Sequence, residues 1–269
     1  METDANTFIE TQLEAAEEAK LPYIITICSG KGGVGKSVLA ANLAKAMSNT
    51  ASVCVWDADI HFPNQHLLFG VEPPLRLKDV FSGMTEVRKA IYQIAPNIAL
   101  LADKPVSDIS QNDTPMDFSS VYAELVSCNL FDIIIIDSAA GDAFETLQCS
   151  AFSDCISIVV TDEPTSLIDA YGLIKLLSPY IEKKKINLIV NNVIDMEDAD
   201  EISRKLNMAT EKFLGMELDV LGFVPYDRAV RQSIIRQELL TNATPDCEAS
   251  QAIYHLAETY MTKFNIFKI

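Results

Sequence analysis

Residues 29–37 read SGKGGVGKS. Four glycines, two lysines and two serines in nine residues suit one task, holding a chain of phosphates. Glycine lets the backbone wrap close to phosphate oxygens, and loop N–H groups at a helix start supply positive potential. The stretch GKGGVGKS fits G-x-x-x-x-G-K-[ST] without a mismatch. A strand-like run precedes it and a helix-like run follows, which is the context the motif needs. In that pattern Lys36 reaches the β- and γ-phosphates and the Ser37 hydroxyl binds Mg²⁺. The expected nucleotide-binding set is Gly30, Lys31, Gly32, Gly33, Val34, Gly35, Lys36, Ser37 and Val38. Lys31 is surplus to this scheme. It is either a solvated loop lysine or a cation that reaches a second nucleotide, held by a second copy of the chain. In the latter role it acts like an arginine finger.

Two acidic segments accompany the loop. DADIHFPNQHLLFG (57–70) follows a strand-like run, and of Asp57 and Asp59 one is expected to enter the site. A carboxylate there orients a water toward a γ-phosphate. FDIIIIDSAAGD (131–142) is an apolar strand ending in Asp137, a placement that suits the water shell of Mg²⁺.

Alternating elements must position these residues. YIITICS (23–29), SVCVWD (52–57), IYQI (91–94), IALL (98–101), FDIIIID (131–137), CISIVVT (155–161), KINLIVNNV (185–193) and DVLGFVP (219–225) read as strands. KSVLAANLAKAM, FSSVYAELVS and SLIDAYGLIKLLSPYI read as helices, with an acidic helix from about Asp195 and a last one from about Asp246. Short helices are expected after the Pro-Pro at 73–74, and a polar loop over 102–115. Strands alternating with crossover helices predict an α/β fold, a mostly parallel twisted sheet with helices on both faces. The division expected is an acidic helical extension (1–20), one main domain (21–264) and a short tail (265–269).

Composition narrows the partners. The 269-residue chain has a formal charge of −17, which argues against nucleic acid and toward basic protein partners. The six cysteines contain no C-x-x-C pair and read mostly as small buried hydrophobes. The first twenty residues lack the apolar core of a signal peptide, so a cytoplasmic location is expected. Ile253, Leu256, Ala257, Tyr260, Met261 and Phe264 recur at helical spacing, read as core packing more than a membrane face. The terminal FNIFKI, with Lys263 and Lys268, is the candidate for weak contact with the inner face of the cell membrane.

KGGVGKS, with its extra lysine, resembles the deviant Walker A signature of the MinD/ParA ATPases. Residues 57–70 are similar to that family's switch I, DxDxxxxNxxxxxG, matching also at Asn64 and Gly70. SAAG after Asp137 looks like switch II, with Gly141 as its hinge. The resemblance runs over about residues 22–255. It implies a three-layer P-loop NTPase that binds ATP and Mg²⁺ and forms an ATP-sandwiched homodimer. The catalytic set it implies is Lys31, Lys36 and Asp59, with Lys31 acting on the facing subunit's nucleotide and Asp59 orienting water. Asp57 would support the Mg²⁺ shell beside Ser37 and Asp137. The resemblance also puts an adenine-contacting asparagine at Asn191 or Asn192, and Pro225, Tyr226 and Asp227 near the purine. An asparagine amide has the donor and acceptor that adenine's edge requires, with simple strand capping as the less favoured alternative.

Within the family, TDEPTSLIDAYGLIKLL (161–177) and LGFVPYDRAVRQSI (221–234) look most like the FlhG/FleN branch. That likeness implies a slow regulatory ATPase controlling flagellar number through an FlhF-like GTPase or a flagellar transcription activator. MinD-type division-site placement and ParA-type DNA or cargo positioning are the alternatives. A relative of the nitrogenase iron protein is disfavoured: the cluster-binding cysteine expected seven residues after Asp137 is Phe144 here, and Cys149 is misplaced.

Overall fold

The computed structural model describes residues 21–103, 117–141 and 143–266. The expected N-terminal extension, most of the 102–115 loop and the last three residues of the tail lie outside the described residues. Eight strands form one sheet in the order β3-β4-β2-β5-β1-β6-β7-β8. They are β1 (Tyr23–Cys28), β2 (Val53–Asp57), β3 (Tyr92–Ala95), β4 (Ile98–Leu101), β5 (Ile133–Asp137), β6 (Cys155–Val160), β7 (Ile186–Val193) and β8 (Asp219–Pro225). Only β3 runs antiparallel, joined to β4 through the Pro96-Asn97 turn. Every strand expected from the sequence is present.

The helices are α1 (Lys36–Met47), α2 (Gln65–Leu68), α3 (Leu77–Phe81), α4 (Val87–Ala90), α5 (Phe118–Ser127), α6 (Ala143–Ala151), α7 (Pro164–Leu177), α8 (Met196–Leu214), α9 (Arg228–Arg236), α10 (Leu240–Ala243) and α11 (Glu248–Lys263). The helix expected over 166–181 starts two residues earlier and stops at Leu177. Pro164 occupies its first turn, where a missing N–H costs nothing. The acidic helix begins where Asp195 accepts from the Asp198 N–H at 3.0 Å, and it ends on left-handed Gly215.

Period-two alternation divides each central strand between two cores. Ile25, Ile27, Ile133 and Ile135 face α1 and α11, in one cluster with Leu39, Leu43, Ile253 and Tyr260. Ile24, Ile134 and Ile136 face the other side, with Trp56, Phe118 and Leu125. A third cluster packs α7 and α8 onto β6 and β7. The run of isoleucines at 133–136 therefore feeds both faces of the sheet, and all four are buried. The C-terminal helix stripe belongs to the core, as expected: Ile253, Leu256, Ala257 and Tyr260 are buried, and Phe264 stacks on Tyr23 at 5.5 Å. Cys28, Cys54, Cys149 and Cys155 are buried, and burial pushes the Cys28 and Cys155 thiols up to about 12. No helix among the described residues is long and apolar enough to cross a membrane.

This topology fixes the place of the site. From β1 the chain moves one way to β2 and later the other way to β6, so the order reverses beside β1. Ligands of open parallel sheets bind in that crevice, beyond the carboxyl ends of the strands. Parallel register puts Asp57 of β2 directly beside Asp137 of β5 and sets Asp137 beside Ile27 of β1. Two acidic strand ends thus flank the glycine loop that leaves β1.

Candidate functional site

The loop between β1 and α1 lines a cavity of about 810 Å³. Its walls include Lys31, Gly32 through Val38, Asp59, Asn64 and Ala139–Gly141. Two smaller hollows, of about 250 and 450 Å³, continue from it past Asn191 and Asn192 to Pro225, Tyr226 and Asp227. Val34, Gly35 and Val38 line both the main cavity and the nearer hollow. Apart from Gly30, which packs against α7, the expected phosphate-binding and purine-side residues therefore border one groove.

Two glycines are there for definite steric reasons. A Cβ on Gly30 would come within 2.3 Å of the Asp169 backbone, so the loop touches α7 only because that atom is absent. Gly35 has φ +90 and ends the loop as the N-cap of α1. A Cβ there would meet Asn191 Nδ2 at 2.3 Å.

Lys36 lies in the first turn of α1 and is 5 % exposed. Its ammonium pairs with Asp137 Oδ1 at 2.5 Å. Burial works against the charge, but Asp137, Asp57 and Asp59 outweigh it and hold the lysine above its ordinary pKa. Lys36 therefore stays charged in the cavity wall, with Asp137 as its partner.

Asp57 and Asp59 have separate jobs. Asp57 is fully buried and absent from the cavity lining. Its Oδ2 accepts the Asn64 and Gln65 N–H groups, each at 2.9 Å, and its Oδ1 the Asp59 N–H at 3.3 Å. It caps α2 from the end of β2 and so shapes the 57–70 segment. Backbone N–H groups take both of its carboxylate oxygens. Burial and the neighbouring Asp137 hold its pKa well above the carboxylate range. Asp59 does line the cavity, in a turn where Oδ1 accepts the Phe62 N–H at 2.9 Å.

Lys31 is where the structure adds most. Its ammonium pairs with Glu163 and donates to Thr165 Oγ1 at 3.1 Å, both at the start of α7. It is neither spent on Asp137 nor free in solvent. The ion pair holds the Glu163 carboxyl below its usual range. The two asparagines also separate. Asn191 Nδ2 donates to the Val34 carbonyl at 2.7 Å and pins the loop. Asn192 has φ +61 and is exposed at the groove.

Several participants were not legible in the sequence. Glu163 and Thr165 stand more than 130 residues from Lys31, with no spacing to link them. His61, in the 57–70 segment, approaches Glu145 of α6 at 3.5 Å. Gln65 is fully buried and donates to Asp137 Oδ2 at 2.7 Å and the Ser37 carbonyl at 3.0 Å. A glutamine in a polar stretch carries no motif signal.

The polar groups fit a hydrated Mg²⁺. Ser37 Oγ faces Asn64 Nδ2 at 3.3 Å, and Asp137 lies behind it. Asn64 Oδ1 and Gln65 Oε1 are buried without a donor, and the waters of a cation are donors. Among the described residues no three His, Cys, Asp or Glu side chains form a metal cage of their own. Mg²⁺ does not require one, since it keeps waters and takes phosphate oxygens as ligands.

Residues 25–240 match the family described as the CobQ/CobB/MinD/ParA nucleotide binding domain. The chain belongs to this family. It is 30% identical over 238 residues to the antiactivator FleN of Pseudomonas aeruginosa, an alignment covering 87% of this chain and 85% of FleN. To the flagellum site-determining protein YlxH of Helicobacter pylori it is 29% identical over 248 residues, covering 89% and 82%. The solved MinC:MinD cell division protein complex of Aquifex aeolicus contains a similar chain, with TM-score 0.71 and 25% identity over 92% of this chain and 97% of that one. The MinD-like P-loop fold, a nucleotide-binding role and membership of this group of ATPases are thereby established. The deviant lysine motif of the MinD/ParA ATPases is Lys31 to Ser37, with its extra lysine docked on α7.

Proposed function

We propose that this protein is an ATP-driven switch that regulates flagellar number or placement. The observation that carries this reading is the site itself. A complete phosphate loop, a charged Lys36 on Asp137, and Asp59 in the cavity wall lie together at the mouth of one groove. The similarity to FleN and YlxH over most of the chain supports the flagellar assignment.

In this reading ATP lies along the groove, with phosphates in the Gly30–Ser37 loop and adenine toward Asn191, Asn192, Pro225, Tyr226 and Asp227. Ser37, with Asp137 behind it, would hold Mg²⁺, which would neutralise phosphate charge. Lys36 exchanges Asp137 for phosphate oxygens. Ser37 and Asp137 face the metal's side of the loop, and Asp59 orients the attacking water. Phosphate loss releases residues 57–70 and the Ser138–Gly141 turn, whose backbone is tied to β1 through Ser138 N–H to Ile27 O at 3.1 Å and Gly141 N–H to Ser29 O at 3.3 Å. Lys31 leaves Glu163 and Thr165 to act on the nucleotide of a second copy. The ATP-bound homodimer then engages a protein partner, an FlhF-like GTPase or a flagellar transcription activator, in the cytoplasm or peripherally at the inner membrane face.

Deletion of the gene, with flagella counted per cell, tests the biological half. We expect more or misplaced flagella, restored by wild type and not by Lys36→Ala. Unchanged flagella with misplaced division sites contradict this reading and favour MinD-type positioning.

A further inference from the structure

Gln65 stands out from the elements around it. It opens the four-residue helix α2, and its side chain is fully buried. Buried glutamines are expected to satisfy both ends of the amide. Here one end is doubly used and the other is not. Nε2 donates to Asp137 Oδ2 at 2.7 Å and to the Ser37 carbonyl at 3.0 Å. Both partners are acceptors, so the amide nitrogen belongs on that side. Oε1 is left buried with no donor. An unmade hydrogen bond to a buried oxygen is costly, so its persistence calls for a donor that arrives later.

The neighbours indicate which donor. Gln65 touches the backbone carbonyl of Ser37 and the carboxylate of Asp137, two residues expected on the Mg²⁺ side of the phosphate loop. The adjacent Asn64 Oδ1 is also buried and donorless, while its Nδ2 faces Ser37 Oγ at 3.3 Å. Two unpaired amide oxygens thus flank Ser37. Metal-bound waters are strong hydrogen-bond donors and would satisfy both.

We propose that Gln65 is a positioning residue for Mg²⁺, orienting Asp137 through Nε2 and accepting from the metal's water shell through Oε1. The inference rests on the nucleotide-switch reading above and deepens it. Gln65 also links three elements. Its N–H binds Asp57 of β2, its amide binds Asp137 of β5, and the same amide binds the start of α1. Metal arrival is then felt at once by the loop, both acidic strand ends and residues 57–70. In metal sites, removing such supporting groups costs about 10–100-fold in metal affinity.

The test uses the full chain, with mant-ADP binding measured in Mg²⁺ and in EDTA, and Mn²⁺ binding to the ADP complex followed by electron paramagnetic resonance. Gln65→Leu removes both amide ends at similar volume, and Gln65→Glu keeps an oxygen acceptor but loses the donor. We expect Gln65→Leu to bind mant-ADP in EDTA within about twofold of wild type. Its Mn²⁺ affinity should fall about 10-fold or more. Gln65→Glu should lose less metal affinity than Gln65→Leu, since the acceptor survives. An equal loss of mant-ADP binding in Mg²⁺ and EDTA overturns the proposal, because Gln65 then merely shapes the loop. Unchanged Mn²⁺ affinity in either folded variant also overturns it. If Gln65→Leu does not fold, Gln65→Glu alone decides by its Mn²⁺ affinity relative to wild type. Wild-type protein that binds no mant-ADP at all overturns the parent reading, and this one with it.

Discussion

Lys36 carries its charge into a nearly dry site because Asp137 is there to meet it. Removing one member of a buried pair leaves the other uncompensated, which costs about 3–5 kcal/mol. Lys36→Ala should therefore destabilise the nucleotide-free protein by that order in urea unfolding, besides abolishing nucleotide binding. The deficit should shrink in acid. Asp57 already lies well above the carboxylate range through burial and Asp137, and it loses a neighbouring cation in the variant. A carboxyl with a raised folded-state pKa takes up its proton more readily folded than unfolded. Its penalty is greatest above the folded pKa and fades as pH falls toward the unfolded value. Urea midpoints across pH 4–8 check this: the gap between variant and wild type should narrow toward pH 4. The loop motif made Lys36 and Ser37 legible, because spacing along the chain encodes them, and Asp137 was legible as the acidic end of an apolar strand. Gln65 and Glu163 were not legible, because their partners lie far away in sequence and only the fold brings them near.

The strands were readable because β-branched runs such as IITI and IIII at this length have no other stable home in an α/β chain. Helix ends were less so. α7 starts at Pro164, where the proline's fixed φ rather than apolar periodicity sets the boundary. The contact between that helix and the loop makes a sharp steric prediction. Gly30→Ala would place a Cβ 2.3 Å from the Asp169 backbone, so the loop or α7 must shift. A loss of about 1–3 kcal/mol is expected in denaturant unfolding, the usual cost of overpacking. Gly32→Ala meets nothing within 4 Å and should stay within about 0.5 kcal/mol of wild type. The same helix start holds Lys31. Glu163→Gln weakens that tether and, on the proposed reading, frees the lysine for a second copy. The pair is exposed and screened by solvent, so the ATP-dependent dimer should tighten only modestly. Sedimentation equilibrium with Mg·ATP measures it, and a weakened dimer would show that Glu163 supports assembly.

At the scale of the molecule, one eight-stranded sheet gathers the loop, two acidic strand ends and the groove toward Tyr226 on a single edge. Apolar side chains stand exposed around that edge, Phe62 at 77%, Phe144 at 69% and Ile235 at 71%. A chain with net charge −17 that keeps such residues in water is suited to covering them with protein. The overall architecture was legible because periodicity reports it. The proposed switch was not, because it would depend on which contacts Lys31 makes before and after assembly. Molar mass in solution by light scattering tests this most directly, with wild type, Asp59→Ala and Lys31→Ala, each in Mg·ATP and Mg·ADP. Asp59→Ala should hold a dimer in Mg·ATP by blocking hydrolysis, ADP should leave monomers, and Lys31→Ala should remain monomeric throughout. A monomer in every state, with Asp59→Ala still hydrolysing ATP normally, would contradict the switch and leave Lys31 as a lysine that merely pins its own loop to α7.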